Sequence, residues 1–590
     1  METVDGLATV VEQLTTRVRE LEQRVAALEG APATASAAEV VVAAVEVPVE
    51  QSAKQEPELL IPPLLRPMPP RVRQEGVAGE TPAGVFTTVG KAVLGMAGAY
   101  LLRAVAESGS VPKVAVVAVA IVYAAAWMVW SARVYAKSHF ASVVYAVTSA
   151  MILTPMLWET TVRFQALAPA VTGAVLVGYV VLTLVLAREH DLELAPWVAT
   201  IAASVAGIGL ILTTHALVPL VVAMLLVALA SEVSSCTGHR LTQRVLAALA
   251  ADAAVWLLID IAVLSKTVPE GYAPVSVGTA TALCLALLAI YGGSIGVRGY
   301  LQLGTITYFD VGQGVVAFAL ATFGAVEATK GSIGPVLGAA YLALAAMSYW
   351  GALSRFAPEE LARNRRVSAT WAAALLVAGI WLLPAGLLVV FLGAAAVVAA
   401  FLYAKTAEFS LGIHVSVYLL AAAVLSPVLG YMISALAGGE LAKLSWSAWV
   451  VGLAAAMSYI VGARHPEEQV RRRVLWVVPA LLAGFAVAAL AVSAIVGVAG
   501  GSAGLGASRL SMVRTIVGCA VALGLAFVGS RWNRVELGWV AYAAIGFGTL
   551  KLLLEDLRLG NPASLVVSLL FYGGVLILLP KMMQRGKAEA

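Results

Sequence analysis

Three carboxylates stand in stretches that are otherwise almost wholly apolar. Asp252 and Asp260 fall among Ala, Val, Leu and Ile, with Trp256 midway between them. At i, i+4 and i+8 the three share roughly one helix face, and a rise of 1.5 Å per residue sets the two carboxylates ~12 Å apart. That is too far for one acid–base pair, but it suits two stations on a polar path. Asp310 belongs to Thr305-Ile-Thr-Tyr-Phe-Asp-Val-Gly-Gln-Gly314, the most polar stretch inside any apolar segment. There Thr307, Tyr308, Asp310 and Gln313 could line a cavity. A charge at the centre of a bilayer costs at least ~2.5–3.5 kcal/mol, so such groups are functional candidates. One reading is cation binding or proton relay. The other is structural: each carboxylate pairs with a basic or hydroxyl group of a neighbouring helix, or sits near an interface. The residues alone leave both open.

Other chemistry has less support. The six histidines (139, 190, 215, 239, 414 and 465) are scattered and form no HxxxH. Cys236, Cys284 and Cys519 are odd in number, far apart and not in CxxC spacing. Neither a metal site nor a disulfide framework is expected. No GxSxG nucleophile motif occurs. Gly293, Gly296 and Gly299 lack the strand-turn-helix setting and the Lys-Ser/Thr ending of a phosphate loop. No catalytic residue, cofactor or metal is therefore assigned. Lys551 and Glu555 stand at i, i+4 with Asp556 adjacent, and a local ion pair is the expected arrangement.

The elements that must position these groups follow from composition. Of 590 residues, 61% are apolar and 12% charged, against roughly 45–50% and about 25% in soluble domains. Burial in lipid accommodates so much apolar surface. Spans of about 20 residues are predicted near 85–105, 114–132, 140–158, 168–187, 195–213, 216–231, 245–265, 274–297, 304–325, 333–353, 368–384, 385–404, 413–436, 445–463, 474–499, 512–530, 537–554 and 563–580. This predicts an all-α polytopic transmembrane bundle of about 18 spans. The pairs around His215 and Pro384 read as tight hairpins or broken helices. Gly95–Gly98, Gly292–Gly293–Gly296–Gly299 and Gly312–Gly314 are expected to let helix backbones approach closely.

Ahead of the bundle, Val4, Leu7, Val11, Leu14, Val18, Leu21, Val25 and Leu28 repeat at 3-4 spacing over four heptads, with Val at every a and Leu at every d position. That choice favours a parallel dimer. Arg17 and Arg24 at g then face Glu22 and Glu29 at e of the partner. A partner protein's helix, or a single amphipathic helix lying on the domain, are the alternatives. Residues 31–83 follow as a Pro-rich, disordered linker; its run Ile61-Pro-Pro-Leu-Leu-Arg-Pro-Met-Pro-Pro70 favours a polyproline II spacer. The membrane domain is set at 84–580 and a basic cytosolic tail at 581–590.

Residues 1–83 carry 7 Lys/Arg against 13 Asp/Glu, and the remainder 31 against 21. A basic membrane domain suits an anionic leaflet. No basic, aromatic-interleaved patch points to nucleic acid. No signal-peptide apolar core opens the chain, so the N-terminus is expected in the cytosol. With 18 spans, the loops on that side carry 17 Lys/Arg and the opposite ones 10, in the sense of the positive-inside rule.

Two stretches carry a family resemblance. One is Gly95-Met-Ala-Gly-Ala-Tyr-Leu-Leu-Arg-Ala-Val-Ala-Glu-Ser-Gly109 running into Val111-Pro112; the other is Lys551-Leu-Leu-Leu-Glu-Asp556-Leu. The chain resembles a bacterial family of multi-spanning membrane proteins, a domain of unknown function that opens with a short coiled coil and a Pro-rich linker. It departs from that pattern after Asp556, where the closing helix lacks the common aromatic ending. The resemblance implies the architecture and a bacterial inner-membrane location, and no activity. The leading expectation is a transporter or channel-like conduit that contacts the lipid bilayer and dimerises through its coil, its substrate unknown. Two rivals stand: an enzyme acting on a lipid-linked substrate, such as a polyprenyl-linked glycosyltransferase, and an envelope scaffold. For the enzyme, the acidic residues of the first two outer loops are Glu107 and Glu159.

Overall fold

A computed structural model describes residues 82–588 except 109, 239–241, 357, 439–444, 464–472, 500–501, 557 and 559–561. The expected coil, with its seam from Val4 to Leu28, and almost all of the Pro-rich segment lie outside the described residues. Helices with short irregular connections make up those residues, and no strand occurs among them. In chain order the first helices are α1 Pro82–Ser108, α2 Lys113–Val134, α3 His139–Trp158, α4 Pro169–His190, α5 Ala195–Thr214, α6 Leu217–Cys236, α7 Arg244–Leu258, α8 Val277–Gly296, α9 Tyr308–Ala328 and α10 Gly334–Trp350. Then come α11 Ala362–Trp381, α12 Leu388–Thr406, α13 Phe409–Val424, α14 Val428–Leu436, α15 Trp446–Gly462, α16 Val477–Val498, α17 Ser502–Arg531, α18 Val535–Lys551 and α19 Pro562–Ala588.

Among the described residues fifteen helices are long and apolar enough to cross a membrane, sixteen if one bent pair counts as a single span. This is an integral, multi-pass membrane protein. Helix occupies each of the eighteen expected stretches, but three differ from a plain span. The stretch 413–436 is broken into α13 and α14, bent by 76°, where Pro427 cannot continue the backbone ladder. Helix α15 has 17 residues. Helix α11 opens with Arg363, Arg365 and Arg366, which leaves about four apolar turns. At the end of α5, His215 adopts a left-handed conformation (φ 54°), and α5 and α6 pack against each other across that turn. The last helix runs to Ala588, past the expected end at 580.

Large apolar side chains such as Phe86, Val122, Trp350 and Leu570 are exposed, whereas alanine dominates the buried positions. That is the inversion expected where lipid, not water, bathes the surface and small residues mediate helix contact. Two main cores result, one within residues 124–317 and one within 373–517. Some of the predicted glycine contacts are present: a Cβ on Gly95 would strike Trp127, and one on Gly314 would strike Trp371. Gly292, Gly293, Gly296 and Gly312 instead face open space, and the closest backbone approach pairs Gly338 of α10 with Gly379 of α11.

Among the described residues five helices end in a π-turn: Glu159–Arg163 after α3, Ile259–Leu264 after α7, Val297–Leu301 after α8, Gly351–Arg355 after α10 and Leu552–Asp556 after α18. π-turns are rare and recur at functional sites. Four of the five contain charges that enter the polar clusters described next or, at Asp260, a predicted site residue.

Candidate functional site

Helices α6, α7, α8 and α9 pack as a group, and each contributes one charge to a buried cluster. Asp310 lies in the first turn of α9, capped by Thr307: the Thr307 backbone N–H and hydroxyl both donate to Asp310 Oδ2 at 2.8 Å. The other carboxylate oxygen accepts from Arg244 Nη1 at 2.9 Å and Arg298 Nη2 at 2.8 Å. Arg298, in the π-turn after α8, also reaches Glu232 Oε2 at 3.1 Å. Ser294 donates to the same Glu232 oxygen. Arg244 bonds Thr307 Oγ1 at 3.1 Å and lies 4.5 Å from the centre of the Phe309 ring. Two anions and two guanidiniums thus neutralise one another at one end of the four helices, each side chain about 90% or more buried.

Deeper along the same helices lies a second layer. Gln313, one turn past Asp310, donates its amide to both oxygens of Asp252, at 2.9 and 3.0 Å. Asp252 stands eight residues, ~12 Å, into α7 from Arg244. Tyr291 lies seven residues before Arg298 on α8, in electrostatic reach of Glu232, Asp252 and Arg244. Its buried hydroxyl has no partner among the described residues, nor has Glu232 Oε1. Buried polar atoms are nearly always satisfied, by protein or by ordered water. The two layers together form a polar seam running from the helix ends into the bundle.

The structure brings together Asp252, Thr307, Asp310 and Gln313 of the predicted residues. It sets Asp260 and Tyr308 apart from them. Asp260 is exposed in the π-turn after α7. Tyr308 is 85% exposed, its ring stacked 4.2 Å from the Arg363 guanidinium. Sequence reasoning missed Glu232, Arg244 and Arg298. Glu232 lay just past the expected end of its span, and the arginines read as loop charges. The signal available was the continuation Glu-Val-Ser-Ser-Cys236, which extends the apolar helix one turn further.

A second polar cluster joins α14, α17 and α18. Lys551 Nζ contacts Asp556 Oδ1 at 2.5 Å and the hydroxyls of Ser511 and Thr515 at 2.7 Å. The expected Lys551–Glu555 pair is replaced: Glu555 instead meets Arg514 at 2.7 Å. The cause is the π-turn, whose wider winding brings i and i+5, rather than i and i+4, onto one face. Arg514 also caps α14, donating to the carbonyls of Ser434 (2.7 Å) and Ala435 (3.1 Å). In broken-helix transporters such carbonyl ends hold ions; here a guanidinium fills the place. Ser511 beside Lys551 resembles a Ser–Lys nucleophile pair, but Asp556 Oδ1 accepts from both the serine hydroxyl and the lysine, so the two are tied to the carboxylate rather than to each other alone.

At the ends of α1 and α3, Glu107 and Glu159 do come together, but through arginines. Arg103 reaches Glu159 at 2.9 Å and Glu107 at 3.3 Å, and Arg163 reaches Glu107 at 3.3 Å. Among the described residues no three His, Cys, Asp or Glu are grouped to hold a metal ion. No protein-family model, curated protein or solved structure matches the chain.

Proposed function

We propose that the protein is a transporter or channel-like conduit whose polar path runs through the α6–α9 core. The observation that carries this reading is the two-layer seam: the Glu232–Arg244–Arg298–Asp310 cluster at the helix ends and the Asp252–Gln313 pair beneath it. A purely structural network would be closed by its own partners. This one leaves Glu232 Oε1 and the Tyr291 hydroxyl without partners among the described residues, and it ends on a carboxylate held by an amide rather than a cation. Asp252 is the station for a cation or proton; the charge cluster is its gate. The enzyme reading has less support, because both of its acidic candidates are neutralised by Arg103 and Arg163.

In this reading all eighteen helical units cross a bacterial inner membrane, α13 and α14 forming one broken span. The N-terminus and basic tail lie in the cytosol, and the coil at 1–30 dimerises the chain. The gate then faces the cytosol.

The test uses the full chain in liposomes carrying an imposed proton or sodium gradient, read by an interior dye. Wild-type vesicles dissipate one of the gradients faster than Asp252→Asn vesicles. Equal rates in wild-type, variant and protein-free vesicles for both ions would end the conduit reading.

A further inference from the structure

The second cluster borders a cavity with no part in the conduit. A narrow space of about 50 Å³ runs between α16, α17, α18 and α19, walled by residues such as Gly484, Phe485, Val521 and Ile545, with Thr515 and Lys551 at its polar end. Outside it, a cleft of about 540 Å³ is lined by Phe547, Leu550, Leu554, Lys551, Glu555 and Arg558. Phe547 and Lys551 belong to both, so the two spaces share a wall. Leu550 and Leu554 are 55% and 64% exposed, which places the cleft mouth on the lipid-facing surface. Glycine opens the inner space: a Cβ on Gly518 would meet nothing within 4 Å.

Charge decides the occupant. Asp556 neutralises Lys551 and Arg514 neutralises Glu555. Arg558, exposed at the cleft rim, has no partner among the described residues, so the rim is left cationic. An apolar cleft ending in a guanidinium with no partner among the described residues is complementary to a molecule with hydrocarbon below and an anion above. A free phosphate would leave the apolar walls uncovered, and a zwitterionic lipid would leave the guanidinium without a net counter-charge. We propose that this cleft is a specific site for an anionic phospholipid, its phosphate at Arg558 and one acyl chain drawn between the helices toward Gly518.

The test is native mass spectrometry of the delipidated full-length protein, re-supplied with phosphatidylglycerol or with phosphatidylcholine of the same chains. Wild-type protein retains a phosphatidylglycerol adduct under activation that strips phosphatidylcholine. Arg558→Glu lowers that retention by at least about fivefold, the factor for one surface cation at an anionic lipid. Gly518→Leu, which fills the inner space, lowers it as well. A melting curve in detergent verifies that both variants are folded. Equal retention of the two lipids, displacement of the adduct by excess inorganic phosphate, or wild-type retention by either folded variant would overturn the proposal.

Discussion

Glu232 lies one turn before the C-terminus of α6 and Arg244 at the first residue of α7, each near the helix end whose partial charge has its own sign and so disfavours it. Only their neighbours make these positions tolerable: Arg298 and Ser294 for Glu232, Asp310 and Thr307 for Arg244. Local rules broken and compensated in this way tend to mark functional sites. Removing one partner of a buried ion pair strands the other charge, at a cost of ~3–5 kcal/mol. Arg298→Met is therefore expected to lower the detergent melting temperature sharply. Adding Glu232→Gln should return part of the loss, because the stranded carboxylate is gone. Additive losses in a denaturation-based double-mutant cycle would show that the two residues do not act together. Asp252 behaves differently: its partner is neutral, so Asp252→Asn keeps an amide-compatible contact and is expected to melt close to wild type.

At the scale of elements, the π-turns decide which residues meet. The turn at Leu552–Asp556 puts Asp556, not Glu555, against Lys551. A double-mutant cycle is expected to give strong coupling for Lys551 with Asp556 and clearly weaker coupling with Glu555. Coupling to Glu555 instead would mean that α18 ends as an ordinary α-helix. Glycine contacts are equally local. Gly338→Ala would press a methyl group to 2.7 Å from the Gly379 carbonyl, a backbone atom that cannot swing aside. Gly293→Ala opens onto free space. The first is expected to destabilise α10 against α11, and the second to leave melting unchanged or raised by its better helix propensity. Here lies the boundary of what was legible in sequence. Apolar runs located the helical stretches, though not the break between α13 and α14, because lipid requires long apolar stretches whatever the partner. Thr307, Asp310 and Gln313 were legible because they are polar inside such a run. Glu232, Arg244 and Arg298 were not, since a charge at a span's edge looks the same whether it meets water or a neighbouring helix. The π-turns were invisible too: nothing in the periodicity of a wholly apolar segment records one extra residue per turn.

At the scale of the whole molecule, the two buried charge clusters lie against different cores. The seam belongs to the core at 124–317, and the Lys551 cluster adjoins those built from 373 onward. If residues 1–30 pair as a parallel coil, the conduit is present twice in each dimer. Truncation of 1–30 is then expected to halve the mass of the purified particle, whereas an unchanged mass would assign dimerisation to the membrane domain. A conduit through this core requires water to reach Asp252. The direct measurement is labelling by a hydrophilic, membrane-impermeant thiol reagent in opened membranes. Single cysteines are placed at Asp252, at exposed Tyr308 and at lipid-facing Trp256, in a chain with Cys236, Cys284 and Cys519 replaced. Labelling at 252 and 308 but not at 256 is the predicted result. Labelling at 308 with none at 252 would contradict it, leaving Asp252 and Gln313 as a sealed structural pair.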